Sequence, residues 1–263
     1  MYIAKTHSTN TLLREKIAKG EWPDCERFLR AGFQTAGRGQ TGNGWESEAD
    51  KNLLFSVLLN NTRIEDQFTL SVSISVALHV FVGSILDFSR VKVGLKSESS
   101  SGELTIKWPN DLYYSDRKLA GILIESGLLN GMIAWAIAGV GLNVNQTEFR
   151  SDAPNPVSIK QISGKDYDLE EVMAHVMATL TQVESWSKDE QWAYYRAHLY
   201  RREGFYPFVE REVNGTPTMN ADASAQGQFL ARIQDILPSG EIVLQTPDGE
   251  QNKYHFKQIR YVL

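Results

Sequence analysis

The sequence predicts an α+β fold, a mixed sheet with flanking helices followed by a small β domain, and three observations carry that prediction. Apolar runs of strand length, Phe28–Phe33, Asn52–Leu59 and Leu119–Glu125, stand on either side of Phe68–Phe88. That run of about twenty residues has no turn signal, which is long for a strand and ordinary for a buried helix. Amphipathic helical patterns follow at Leu169–Trp186 and Trp192–Tyr200. After Gly204 the character changes to short alternating runs, Pro207–Val213 and then Gly227–Leu263, punctuated by Gly215, Pro217, Pro238-Ser239-Gly240 and Pro247-Asp248-Gly249. Such punctuation marks a small antiparallel barrel or sandwich. We place the boundary near residue 211, giving domains 1–210 and 211–263.

Composition narrows the function classes. The 263 residues, 42% apolar and 22% charged, are those of an ordinary globular protein. A net charge of −5 argues against a nucleic-acid or anionic-membrane surface. One cysteine, Cys25, excludes an internal disulfide framework, and the start Met1–His7 has no apolar signal core. A cytoplasmic location is therefore expected. Ser71, Ser73, Ser75, His79 and Ser84 interrupt the long apolar run and make it a poor membrane span. The five histidines, His7, His79, His175, His198 and His255, have no metal-ligand spacing, so no metal site is expected.

In chain order, Ser8-Thr9-Asn10 followed by Leu12, Leu13, Ile17 and Gly20 reads as an N-cap cluster, a helix and a glycine stop. The strand Phe28–Phe33 then enters the loop Gln34–Trp45, which holds four glycines, Arg38 and a terminal indole. Glycine at such density lets successive amide N–H groups point into one concavity and cradle an anion. Arg38 adds a planar cationic fork, and Trp45 a face on which a base could stack. Val91–Leu95 and Glu103–Trp108 read as strands joined by the polar Lys96–Gly102 insert. Pro109-Asn110-Asp111 is a turn that places Asn110 and Asp111 at a strand mouth. Lys118 stands just before Leu119–Glu125, where it is either a solvated flank or a cation for two meeting anions. Ile133–Ala138 and Val140–Asn145 make one further strand, with Gly139 and Gly141 marking either a close approach or a β-bulge. Residues 151–167 read as loop, and the aromatic stripe Trp186, Trp192, Tyr195 and Leu199 as core.

Gly37-Arg38-Gly39-x-x-Gly-x-x-Trp45, Lys107-Trp108-Pro109-Asn110-Asp111, Arg117-Lys118-Leu119-Ala120-Gly121-Ile122-Leu123-Ile124-Glu125 and Gly141-Leu142-Asn143-Val144-Asn145, in that order, closely resemble the biotin protein ligases. The resemblance implies a class II synthetase-like domain of the biotin/lipoate ligase type with a small C-terminal SH3-like β-barrel. No helix-turn-helix module precedes Ser8, so the resemblance is to the short, monofunctional class without a DNA-binding domain. It implies that biotin and ATP form biotinyl-5′-AMP, that Mg²⁺ accompanies the triphosphate, and that biotin passes to a lysine of a biotin carboxyl carrier domain. It makes Lys118, Arg38 and Asp111 catalytic. Ser8, Thr9, Gln34, Gly37, Arg38, Lys118, Gly121 and Leu123 would bind biotin, and Arg38, Gly39, Gln40, Trp45, Lys107, Asn110 and Asn143 the nucleotide. Oligomeric state, monomer or homodimer, stays open.

The loop departs from many family members, which carry arginines where this chain has Gln40 and Asn43. Glutamine does not replace arginine against a phosphate, so weaker retention of the adenylate is expected, to be checked by its release rate. Two alternatives stand beside the ligase: a lipoate or octanoate ligase or transferase of the same fold, and a non-catalytic adenylate sensor. Cys25 lies in no nucleophile motif, and a sensor needs no group for the amine step.

Overall fold

Residues of the central strands alternate between two different surroundings, and that alternation positions everything else. The computed structural model describes residues 1–23, 26–39, 44–59, 67–93, 102–129, 132–150, 155–211 and 228–263. The larger sheet has seven strands in the order β1 (Tyr2–Thr6), β2 (Phe28–Gln34), β3 (Leu53–Leu59), β7 (Met132–Leu142), β6 (Arg117–Leu129), β5 (Asp111–Tyr114) and β4 (Leu104–Lys107). β1 and β2 run parallel and the remaining neighbours antiparallel. The register aligns Leu54, Gly141, Gly121, Asp111 and Lys107 in one row across β3, β7, β6, β5 and β4.

Neighbours one step along, Phe55, Val57, Val140, Ala138, Ile122 and Leu112, turn to the other face and are buried in the core. Helices α2 (Gln67–Val93), α4 (Leu169–Glu184) and α5 (Lys188–Ala197) cover that face. Helix α1 (Thr9–Ala18) lies on the opposite face against β3 and β7. One face is therefore core, and the other is free to hold a site.

Helix α2 is long and apolar enough over Phe68–Leu86 to cross a membrane on composition alone. Val72, Val76, Leu78, Phe81 and Val82 are instead buried inside the fold, each contributing about 1.5–3 kcal/mol. Packing between sheet and helices explains why its apolar pattern fits both periods. The strand expected at Val91–Leu95 is corrected: Val91, Lys92 and Val93 continue α2. Extending an existing helix needs no new nucleus, and no glycine or proline stands between Phe88 and Gly94. Most of the Lys96–Gly102 insert lies outside the described residues.

Other differences have local causes. The strand expected through Gly139 is β7, ending at Leu142 rather than Asn145, and Tyr2–Thr6, not expected as a strand, forms the sheet edge. The stretch expected as loop contains α3 (Ile159–Ser163), closed by a reciprocal cap between Ser158 and Gln161 and by Gly164 at φ +74°. Helix α5 begins at Lys188 rather than Trp192 because Ser187 and Glu190 cap each other in the same way.

The second sheet has five antiparallel strands, β11 (Gln251–Tyr254), β10 (Ile242–Gln245), β9 (Gln228–Ile236), β8 (Tyr206–Glu210) and β12 (Ile259–Tyr261) in that order. Its strand β8 precedes the boundary expected near residue 211. This sheet touches the turn between β4 and β5: Trp108 Nε1 donates to the Gly240 carbonyl at 3.0 Å, and its ring meets that of Phe256 at 6.2 Å. On the helix side, Tyr195 donates its hydroxyl to the Pro109 carbonyl at 3.0 Å. The turn that carries Asn110 and leads into Asp111 is thus held from two directions.

Candidate active site

Two glycines form a floor. Gly121 and Gly141 are paired across β6 and β7, and the indole of Trp45 rests on them. A Cβ on Gly141 would stand 2.3 Å from Trp45 Cε2, and one on Gly121 would stand 3.0 Å from Cζ3. The approach anticipated for this strand is made by side chains, and β7 carries no bulge at these residues. The glycine loop is closed by Trp45 N–H donating to the Gly37 carbonyl at 2.9 Å. Beside the floor, Lys118 Nζ lies 2.8 Å from Asp111 Oδ2 and 5.7 Å from the Trp45 ring centre. Lys118 follows Arg117 in β6, and Asp111 opens β5 after the clamped turn, so two rigid strands fix the pair.

A polar wall adjoins the floor. Gln34 Oε1 accepts from the Thr9 N–H at 2.7 Å and lies 3.1 Å from the Thr9 hydroxyl. Buried Ser56 places its hydroxyl 2.7 Å from Thr9 Oγ1 and 2.6 Å from Asn10 Oδ1. An amide oxygen only accepts and a hydroxyl holds one proton, so Ser56 donates to Asn10. Asn10 sits where a Gly139 Cβ would be, 2.3 Å from its Oδ1. Its amide nitrogen donates to the Leu123 carbonyl at 3.2 Å and to Glu125 Oε2 at 2.8 Å. Glu125 in turn holds Arg38, whose NH2 nitrogen is 3.0 Å from Oε2, 3.1 Å from Oε1 and 2.9 Å from the Thr11 hydroxyl.

The structure thus brings together Thr9, Gln34, Gly37, Arg38, Trp45, Asp111, Lys118 and Gly121, with Leu123 on the same face of β6. Three further expected residues are held by the fold itself. Asn110 is buried, its amide donates to the Ile122 carbonyl and its carbonyl accepts from the Ile122 N–H. Asn143 donates to the Val157 carbonyl at 3.1 Å, and its buried Oδ1 has no partner among the described residues. Ser8 is the buried N-cap of α1, but its side chain does not cap the helix. Gly39 borders residues 40–43, so Gln40 and Asn43 lie outside the described residues.

Lys107 shares the face of Asp111 but sits among aromatic rings. Its Nζ is 2.9 Å from the Tyr113 hydroxyl and 4.3, 5.1 and 5.9 Å from the ring centres of Tyr113, Tyr261 and Tyr200. Burial pulls its ammonium down to about 8, with Lys118 and Arg201 adding repulsion while Asp111 and Asp116 oppose the shift. Burial also pushes the Tyr113 phenol far up, so that hydroxyl stays a neutral acceptor for the lysine.

The arrangement runs along β6, with Lys118 paired to Asp111 beside the uncharged glycine floor, then an amide-and-hydroxyl wall of Asn10, Thr9, Ser56 and Gln34, and Arg38 paired to Glu125 beyond it. It offers a cation for anionic groups at each end and hydrogen-bonding groups for a neutral polar ring at the wall. Asn10, Thr11, Ser56 and Glu125 were missing from the expected set. Ser56 is the single hydroxyl within Leu53–Leu59, and Glu125 ends an apolar run; both are the misplaced polar residues that mark a buried network.

The described residues hold no cluster of three or more His, Cys, Asp or Glu side chains suited to a metal ion.

The family model of the biotin/lipoate A/B protein ligase family matches residues 2–143, more than half of the chain. Over 205 residues the chain is 28% identical to the bifunctional ligase/repressor BirA of Escherichia coli, covering 78% of this chain and 55% of that protein. It is 30% identical over 178 residues to the biotin–[acetyl-CoA-carboxylase] ligase of Mycobacterium tuberculosis, covering 68% and 61%. The match therefore spans little more than half the length of these relatives. The solved biotin protein ligase from Aquifex aeolicus in complex with biotin and ATP superposes with a TM-score of 0.66 over 100% of this chain and 98% of that one, at 22% identity. That likeness gives the fold across both sheets. The chain belongs to the biotin/lipoate A/B protein ligase family.

Proposed function

We propose that the protein is an ATP-dependent biotin protein ligase, acting through biotinyl-5′-AMP on a lysine of a biotin carboxyl carrier domain in the cytoplasm. The observation that carries the reading is the Lys118–Asp111 pair, 2.8 Å apart beside the glycine floor, in a chain of this family. In the first half-reaction a carboxylate oxygen of biotin attacks the α-phosphorus of ATP, the bond to the β-phosphate breaks and pyrophosphate leaves. Two anions must approach, and Arg38 and Lys118 supply the fixed positive charge that offsets their repulsion. Mg²⁺ enters with the triphosphate as part of the substrate, since Mg²⁺ is commonly held by substrate phosphates with few protein ligands.

In the second half-reaction the acceptor lysine's amine attacks the acyl carbon, the bond to the phosphate oxygen breaks and AMP leaves. The amine has an ordinary pKa of about 10.4 and must lose a proton, for which Asp111 at the rim is the available carboxylate. Thr9 and Gln34 offer hydrogen-bonding groups to the ureido ring, while Gly121 and Leu123 line the apolar tail. Trp45 closes over the floor and excludes water from the mixed anhydride.

Pyrophosphate release from Mg-ATP by the purified protein, without acceptor and with biotin, lipoate and octanoate in parallel, tests the reading. Release with biotin that disappears in Lys118→Ala supports it. Release with lipoate or octanoate alone replaces biotin as the substrate, and silence with all three overturns the ligase.

A further inference from the structure

We propose that Glu125 is a positioning residue that fixes the Arg38 guanidinium over the site and couples it to the wall formed by Thr9, Asn10 and Gln34. The proposal rests on the ligase reading above and assigns a role to a residue outside the expected site. The geometry is a continuous chain. Both carboxylate oxygens of Glu125 lie within 3.1 Å of Arg38 NH2, and Oε2 also accepts from Asn10 at 2.8 Å. Asn10 is anchored by Ser56 and by the Leu123 carbonyl, and its side chain fits only because residue 139 is glycine.

Arg38 needs such a partner. Its side chain is 42% exposed on a glycine loop, whereas Glu125 is 23% exposed on β6. A long side chain on a permissive backbone samples many rotamers, and a charge-assisted hydrogen bond to a rigid strand removes most of them before the ligand arrives. The contacts to Glu125 and Thr11 use one guanidinium nitrogen, NH2. The N–H groups of Nε and NH1 are not spent on them and serve as single donors to an incoming carboxylate or phosphate. A Glu125 acting this way lowers the reorganisation needed at the transition state, so its loss is felt in kcat more than in KM.

The test is pyrophosphate release from Mg-ATP and biotin by wild type, Glu125→Ala, Glu125→Gln, Arg38→Ala and the Arg38→Ala/Glu125→Ala double variant, each with its melting temperature. The expected result is a loss of kcat of about tenfold or more in Glu125→Ala, exceeding any rise in KM for biotin, as removal of one charge-assisted bond implies. Glu125→Gln, which keeps an acceptor oxygen, recovers part of the loss. In the Arg38→Ala background Glu125→Ala changes kcat less than about twofold, because a residue acting through another has nothing left to act on. Equal losses in both backgrounds, or wild-type turnover in Glu125→Ala, overturn the proposal while leaving an active ligase. Should Glu125→Ala fail to fold, Glu125→Gln in the two backgrounds gives the same comparison. Silence of the wild type with biotin overturns the ligase reading and this role together.

Discussion

Trp45 occupies the space that a side chain on Gly141 would fill, with Cε2 at 2.3 Å and both Cζ2 and Nε1 at 2.6 Å from a Cβ at that position. No relaxation of a methyl group absorbs such an overlap, so in Gly141→Ala the indole must leave the glycine floor. Because Trp45 is only partly buried and stands outside the hydrophobic core, the expected melting temperature is close to that of the wild type. The expected cost falls on the ligand, with a rise in KM for biotin of about tenfold, equivalent to about 1.4 kcal/mol. Pyrophosphate release against biotin concentration checks it. Gly83 in α2, where a Cβ meets nothing within 4 Å, gives the contrast: Gly83→Ala should raise stability by about 0.5–1 kcal/mol, read by denaturant unfolding.

Lys118 and Asp111 should separate the two half-reactions although they touch. Lys118→Ala removes fixed positive charge from the meeting anions, and biotin-dependent pyrophosphate release should fall by about 10²–10³-fold. Asp111→Asn keeps the shape and a hydrogen-bond acceptor for Lys118 but cannot take a proton. Adenylate should still form in that variant, while transfer to a carrier-domain lysine slows by about 10²-fold or more. Single-turnover assays with and without the acceptor distinguish the steps, and equal losses in both steps for Asp111→Asn would remove its assignment to the amine step.

The parts of this site that could be read from sequence were those whose chemistry is local. Gly37, Arg38 and Trp45 stand in one loop, and Lys118 and Gly121 in one strand, so spacing alone groups them. Asn10, Ser56 and Glu125 belong to three different elements, and only the antiparallel register of β3, β7 and β6 carries their faces to one place. Lys107 shows the opposite limit. Its motif position suggests a phosphate contact, but Tyr200 and Tyr261, which surround it, lie far along the chain and are invisible to any local reading. The end of α2 failed for a physical reason of another kind, since β-branched residues at its C-terminus look like a strand until a preceding helix continues through them.

His79 should make the fold sensitive to acid. Its Nε2 faces the Leu104 carbonyl at 3.0 Å, so that nitrogen carries the proton, and Nδ1 accepts from the Tyr194 hydroxyl at 2.9 Å. Burial, opposed by the hydrogen bond to Leu104 and aided by the neighbouring His198, pulls the imidazole down to about 4. Between an unfolded value near 6.5 and that folded value, the unfolded chain binds a proton that the folded chain does not. Stability is therefore lost as pH falls through this window. His79→Gln should be less stable at pH 7.5 by about 1–2 kcal/mol for the altered hydrogen bonds, yet decline less steeply between about pH 6.5 and 4.5. Urea unfolding across that range measures both effects.

Lys107 should set an alkaline limb on adenylation. Burial among the tyrosines brings its ammonium down to about 8, so the free enzyme loses this charge beside Asp111 within an ordinary assay range. For stability the sign is the reverse of an ion-paired lysine. The folded chain gives up the proton first, so this group makes stability rise with pH between about 8 and its unfolded value near 10.4. For activity the charge is what a phosphate would meet, and kcat/KM for biotin-dependent pyrophosphate release should fall as pH rises through about 8. Omitting the acceptor protein keeps its own amine out of the profile. In Lys107→Arg the guanidinium remains charged at every accessible pH, so the descending limb should vanish or move upward by a unit or more even where overall turnover drops. An unchanged limb in Lys107→Arg would assign it to another group and leave Lys107 as the contact that joins the C-terminal sheet, through Tyr261, to the strand before Trp108.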